Sequence, residues 1–133
     1  MSNLETVQAI YAAFGRGDVE AVLAHCATAP EWEYGGTSTD LPWLQPQTDP
    51  SGARANMVAT AMELTIETFV IKELLAGNDV VVALLDIDFV VNKTGKRVSE
   101  VDAVQIWRFN PAGEVTQFRQ RIDTHQQYLA WHD

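Results

Sequence analysis

The hydrophobic and polar positions of this chain change period once, near residue 65, from helical spacing to the alternation of a sheet. Leu4, Val7, Tyr11 and Phe14 recur at helical intervals behind Ser2 and Glu5, which have capping-box spacing, so a first helix is predicted up to Gly15. Asp18 is a good N-cap for a short second helix with Val19, Val22, Leu23 and Cys26 on one stripe, and Pro30 is expected to close that unit. Glu31 to Tyr34 alternates like a short strand with Trp32 and Tyr34 on one side. Thr37 to Thr48 holds Pro42 and Pro46 around Trp43 and Leu44, too apolar for a linker and too irregular for a strand, the mark of a functional loop. Asp49-Pro50 reads as an N-cap and first helical position for a third helix carrying Met57, Val58, Ala61, Met62 and Leu64. Strands are then predicted at Ile66–Leu75, Val80–Val91, Val98–Phe109 and Val115–Thr124, with turns at Gly77-Asn78-Asp79, Asn92–Gly95 and Asn110–Gly113. Asp123 and Thr124, each with a Gln three residues on, open a short terminal helix through Tyr128 and Leu129.

Helices grouped before a run of strands make an α+β fold, with helices packed on one face of a curved antiparallel sheet. A four-residue loop at Asn110–Gly113 pairs Phe109 with Glu114 and segregates the last hairpin into two faces. One face carries Val101, Ala103, Gln105, Trp107 and Phe109, joined by Thr116, Phe118, Gln120 and Ile122: an apolar wall interrupted by two neutral amides. The other carries Glu100, Asp102, Val104, Ile106 and Arg108 with Val115, Gln117, Arg119, Arg121 and Asp123, and sets Asp102 opposite Arg121. Pairing Val91 with Lys96 extends the first face to Val82, Leu84, Asp86 and Asp88; a three-residue loop with a bulge would reverse that parity.

The amide-bearing wall reads as the lining of a pocket. Asp86 and Asp88 are the acid/base candidates, because a desolvated carboxyl can approach the pKa a general base needs. Gln105 and Gln120 would orient a carbonyl or hydroxyl, while Trp32, Tyr34, Trp43, Trp107 and Phe118 would supply contact area for a bulky apolar ligand. Core packing is the competing reading for each aromatic, and solvent-facing carboxylates for the Asp pair. His25 and His125 sit near helix ends without a partner at triad or metal spacing, His132 is a terminal residue, and no cofactor is expected. The charge ladder Asp102, Arg119 and Arg121, interleaved with Val104 and Ile106, suits an outer sheet face or a homodimer interface.

With 133 residues the chain forms a single domain, residues 1–133. A net charge of −9 with scattered cations opposes nucleic acid and anionic membranes as partners. A lone Cys26, no apolar run of membrane-spanning length and no signal-like start point to a cytoplasmic protein that takes a small hydrophobic ligand.

Arg16-Gly17-Asp18 with its helix, Gly77-Asn78-Asp79-Val80-Val81-Val82, and Phe118-Arg119-x-x-x-Asp123-Thr124 resemble the SnoaL-like polyketide cyclase family. That family belongs to the superfamily of nuclear transport factor two, ketosteroid isomerase and limonene epoxide hydrolase. The resemblance implies a cone-shaped sheet wrapped over helices, an interior pocket, and dimers packed through the outer sheet face. It does not carry the catalytic groups across. The cyclases' cavity His and Asp fall at Gln105 and Gln120, the isomerase base falls at Tyr34, and the epoxide hydrolase's hairpin Asp again falls at Gln120. The expected activity is cofactor-independent proton transfer (isomerase, cyclase or hydratase) on a hydrophobic oxygenated substrate, with non-catalytic ligand binding by a homodimer of the same fold as the alternative.

Overall fold

Ser2 closes the first helix as its spacing predicts. Its hydroxyl accepts the Glu5 N–H while the Glu5 carboxylate accepts the Ser2 N–H, so two otherwise orphaned donors at the start of α1 (Asn3–Gly15) are satisfied. The computed structural model describes residues 1–35, 41–45 and 50–132. Asp18 caps α2 (Val19–Leu23) through the Ala21 N–H. Strand β1 runs Cys26–Glu33, so Pro30 lies inside a strand rather than closing the helical unit. Proline is tolerated there because β1 lies at the edge of the sheet. A 3-10 turn at Pro42–Leu44 buries Trp43 and Leu44; positions 37–40 and 46–48 of the predicted irregular loop, and the Asp49 cap, lie outside the described residues. Then follow α3 (Pro50–Glu63), β2 (Leu64–Ala76), β3 (Val80–Val91), β4 (Arg97–Phe109), β5 (Val115–Arg121) and α4 (Thr124–Trp131).

The five strands form one sheet in the order β1-β5-β4-β3-β2. β2 to β5 are antiparallel neighbours, and β1 joins β5 in parallel. Among the described residues no helix is long and apolar enough to cross a membrane. The core lies where α1 meets the concave sheet. Val7, Ile10 and Tyr11 pack toward Val81, Leu85 and Trp107, all buried. Behind them Trp32, Trp107 and Phe118 form an aromatic cluster, with ring centroids 4.7 Å apart for Trp32 and Phe118 and 4.5 Å for Trp107 and Phe118. Such pairs add about 0.5–1.5 kcal/mol each beyond the area they bury.

Irregularities in the strand pairing decide which side chains face inward. The register of β4 with β5 slips between Arg108 and Phe109, so Phe109 pairs with Val115, not Glu114, and Val115 turns inward. Further along, Gln105 lies opposite Gln120, Trp107 opposite Phe118 and Val104 opposite Arg121; Asp102 is therefore not the partner of Arg121. In β4 the register with β3 slips across Val101 and Asp102, and Asp102 takes a left-handed backbone with φ of 57°. Both of these residues point outward. Glu100, expected outside, is 4 % exposed, and Val101, expected inside, is 70 % exposed. Finally, β2 carries two slips against β3, which put Ile66, Phe69, Ile71 and Leu74 opposite the buried positions of β3 or beside them and bend the strand around the helices.

Candidate functional site

Between the helices and the sheet lies a half-open cavity of about 1030 Å³. Its apolar lining includes Phe14 of α1, Met57 of α3, Leu64 and Phe69 of β2, Phe89 of β3 and Ile122 beyond β5. Ile66, Phe69 and Ile71 have exposures of 49 %, 40 % and 37 % because they face this space rather than a packed interior. No Lys, Arg or His lines it among the described residues.

Two polar stations interrupt the apolar surface. The first is a directed chain of hydrogen bonds. The Trp107 indole N–H donates to the Tyr11 hydroxyl at 3.0 Å, and Tyr11 donates to Gln105 Oε1 at 2.6 Å. Gln105 Nε2 donates to Gln120 Oε1 at 2.7 Å, and Gln120 Nε2 to the Tyr34 carbonyl at 2.9 Å. An indole can only donate and a carbonyl can only accept, so the two ends fix the orientation of both amides. Each amide keeps one N–H beyond those the chain uses, and both residues line the cavity. Burial pushes the Tyr11 hydroxyl up despite the Trp107 N–H beside it, so it stays protonated and donating. Burial likewise pushes the Tyr34 hydroxyl up to about 12, opposed by Trp32.

The second station is built around Glu100. Its Oε1 accepts the Asp123 N–H at 3.0 Å, and its Oε2 accepts Gln127 Nε2 at 3.0 Å. Gln127 Oε1 in turn accepts the Trp43 indole N–H at 2.8 Å, which ties α4 to the 3-10 turn. Asp123 is able to serve here because its side chain caps α4 through the Gln126 N–H, leaving its backbone N–H free for Glu100. No ion pair to Glu100 forms among the described residues.

Gln105, Gln120, Tyr34, Trp43 and Phe118 thus border the cavity, whereas Trp32 and Trp107 lie behind its wall in the aromatic cluster. Asp86 and Asp88 are a correction. The Asn92–Gly95 turn does set Val91 against Lys96, as the four-residue loop predicts, but the bulge at Val101 and Asp102 reverses parity beyond it. Ala83, Leu85 and Ile87 are buried on the inner side, and the two Asp residues project outward. Asp86 accepts the Asp102 N–H at 3.1 Å and pairs with Lys72 at 3.0 Å. Asp88 accepts the Ser99 hydroxyl at 2.6 Å. Of the outer charge ladder, Asp102 pairs with Lys72, Arg121 with Glu33 at 2.6 Å, and Arg119 with Glu31 and Glu33 at 3.7 and 3.9 Å. Tyr11, Glu100 and Gln127 were not candidates from the sequence. Tyr11 reads as one more apolar position of α1, and Glu100 is displaced by a bulge that has no hydrophobic signature.

A cavity between the N-terminal helices and a bent sheet, with polar groups set into its wall, lies on an NTF2-like fold. The chain belongs to the SnoaL-like domain family, whose profile matches residues 7–118. Among solved structures, an NTF2-like protein of unknown function from Burkholderia pseudomallei is 21 % identical and superposes over 100 % of both chains with a TM-score of 0.87. An NTF2-like protein from Burkholderia xenovorans is 25 % identical over 98 % of this chain and 95 % of its own, with a TM-score of 0.83. TerC, solved in a co-crystal with polyporic acid, is 19 % identical over 98 % of both chains, also at 0.83. No curated protein matches the sequence. These likenesses define the fold, and the reaction has to be argued from the site.

Proposed function

We propose that this chain is a cofactor-independent enzyme of the SnoaL-like and ketosteroid isomerase type, performing proton transfer of the isomerase, cyclase or hydratase kind on a hydrophobic, oxygenated small molecule. The observation that carries this reading is the Gln105–Gln120 pair, whose amides are locked in orientation in the wall of a largely apolar cavity. An amide N–H aimed at a substrate oxygen stabilises negative charge developing there, and a water-poor surround strengthens the effect. A carbonyl held so has more acidic neighbouring C–H bonds. Removal of Asp86 and Asp88 from the cavity favours the alternative, a ligand-binding protein of the same fold without turnover.

Deuterium exchange separates the two. A panel of apolar ketones incubated with the protein in heavy water should show C–H exchange by NMR above the buffer rate, lost in Gln105→Leu. Exchange at the buffer rate for every ketone, alongside saturable binding of the uncharged dye Nile red, would leave only the non-catalytic reading.

A further inference from the structure

We infer that Glu100 is the proton acceptor of this pocket and that the pocket admits uncharged molecules while rejecting anions. This rests on the proton-transfer reading above and names the group that reading lacks.

Glu100 is buried, borders the cavity, and is held from behind by two N–H donors of the α4 start and its first turns. Each of these bonds uses one lone pair of one oxygen, so a lone pair remains on each oxygen. A carboxylate placed against apolar surface without a cation is costly. Among the described residues the other carboxylate at the cavity, Asp18, is half exposed at the rim and engaged in capping α2. The Val101–Asp102 bulge brings Glu100 to the same side as Gln105. Without it, the carboxylate would face outward.

The two stations divide the work. The substrate oxygen accepts the spare N–H groups of Gln105 and Gln120, and a substrate C–H points to Glu100. The C–H bond breaks, its proton moves to a free Glu100 lone pair, and the electron pair is delocalised through a conjugated chain of the substrate onto the oxygen held by the amides. Return of the proton from Glu100 to the same or another carbon restores the carboxylate, with no net oxidation. With five residue steps from one station to the other along one strand, at about 3.3 Å each less the bulge, the Cα atoms lie roughly 13–16 Å apart. A substrate bridging them is larger than a simple two-carbon fragment, in keeping with the volume of the cavity. Because its lining offers an anion no Lys, Arg or His among the described residues and opposes it with Glu100, a carboxylated or phosphorylated molecule leaves its charge unpaired.

A nitrobenzisoxazole tests the acceptor without knowledge of the natural substrate. Loss of its ring C–H proton to a base breaks the N–O bond and releases a coloured cyanophenolate. The native protein should accelerate this elimination above the rate with an equal concentration of free acetate, and Glu100→Gln should lower the accelerated rate at least tenfold while Nile red still binds. Should the Gln amide oppose the Gln127 and Asp123 donors and unfold the chain, Glu100→Asp keeps a carboxylate but withdraws it by one methylene. A tenfold loss with retained circular dichroism is expected there too. Native-like elimination in the folded variant, or no acceleration by the native protein, overturns the assignment. Deuterium exchange lost in Gln105→Leu but kept in Glu100→Gln would retain the proton-transfer reading and reject only Glu100. For charge selection, anilinonaphthalene sulfonate should bind at least tenfold more weakly than Nile red, and equal affinity would reject the exclusion of anions.

Discussion

Replacing Gln105 by Leu tests whether the amide chain is a supported functional station or incidental polarity in the core. The side chain is 5 % exposed and takes part in two hydrogen bonds, from Tyr11 at 2.6 Å and to Gln120 at 2.7 Å. Leucine of similar size leaves the Tyr11 hydroxyl without an acceptor and Gln120 Oε1 without its donor. At about 1–3 kcal/mol for each orphaned buried polar group, the loss lies between about 2 and 6 kcal/mol. Water entering the adjacent cavity can pair with one of them, and the added apolar burial offsets part of the rest, which places the expected value at about 2–3 kcal/mol. For a domain of this size each kcal/mol moves the midpoint by about 3–5 °C, so thermal unfolding should shift down by roughly 6–15 °C. Tyr11→Phe removes the other end of the same bond and strands the Trp107 N–H as well. The double variant should therefore lose less than the sum of the singles, with a coupling of about 1–2 kcal/mol. Additivity within about 0.5 kcal/mol, the scatter of independent sites, would refute the linked chain.

Two further predictions follow from the outer face. The Asp102 backbone N–H, and then Lys72, hold the Asp86 carboxyl below its ordinary 3.8. Since the folded chain then binds fewer protons than the unfolded one, this contribution to stability is complete above that value and is lost as the pH falls through the lowered folded pKa. Asp86→Asn should accordingly flatten the decline of denaturant midpoint below about pH 4, and an unchanged acid slope would reject the assignment. Asp102 sits at a φ of 57°, where an L residue costs about 1–2 kcal/mol and a β-branched one more. Asp102→Gly and Asp102→Val both lose the Lys72 ion pair, so any difference between them reports the backbone alone. The Val variant should be the less stable by at least that amount, and equal urea midpoints would show that the bulge does not depend on this conformation.

The elements were legible because their signals are local. Ser2 and Glu5 mark the start of α1, Asp18 marks α2, and Val80–Val91 is an uninterrupted β-former between two turns. The inward amides were legible too, since Gln105 through Phe109 lie beyond the bulge and alternate regularly to the strand end. What failed was parity across irregularities. Val101 and Asp102 differ from an alternating apolar-polar pair only in backbone geometry, and the cost of assuming regularity there was an inversion of Glu100 and of both predicted bases. Tyr11 was hidden differently. Its ring fulfils the helical apolar pattern, and only the fold brings its hydroxyl to a residue 94 positions away.

The bulge also has an energetic rationale that joins fold to site. A regular β4 would turn Asp86 and Asp88 into the cavity and Glu100 out of it. Two carboxylates two residues apart would then share a space that holds no cation among the described residues, each opposing the ionisation of the other. With the bulge, Asp86 gains Lys72 and the Asp102 N–H, and Asp88 gains the Ser99 hydroxyl, all on the outer face. One carboxylate enters instead of two, and α4 supplies donors to both of its oxygens. The residue in the left-handed conformation itself helps to hold the arrangement, because Asp102 offers its N–H to Asp86 and its carboxylate to Lys72. Local strain at one backbone position is thereby exchanged for a cavity whose buried acidic group among the described residues, Glu100, has a donor on each oxygen, an arrangement that suits a proton acceptor and that a purely structural core would do without.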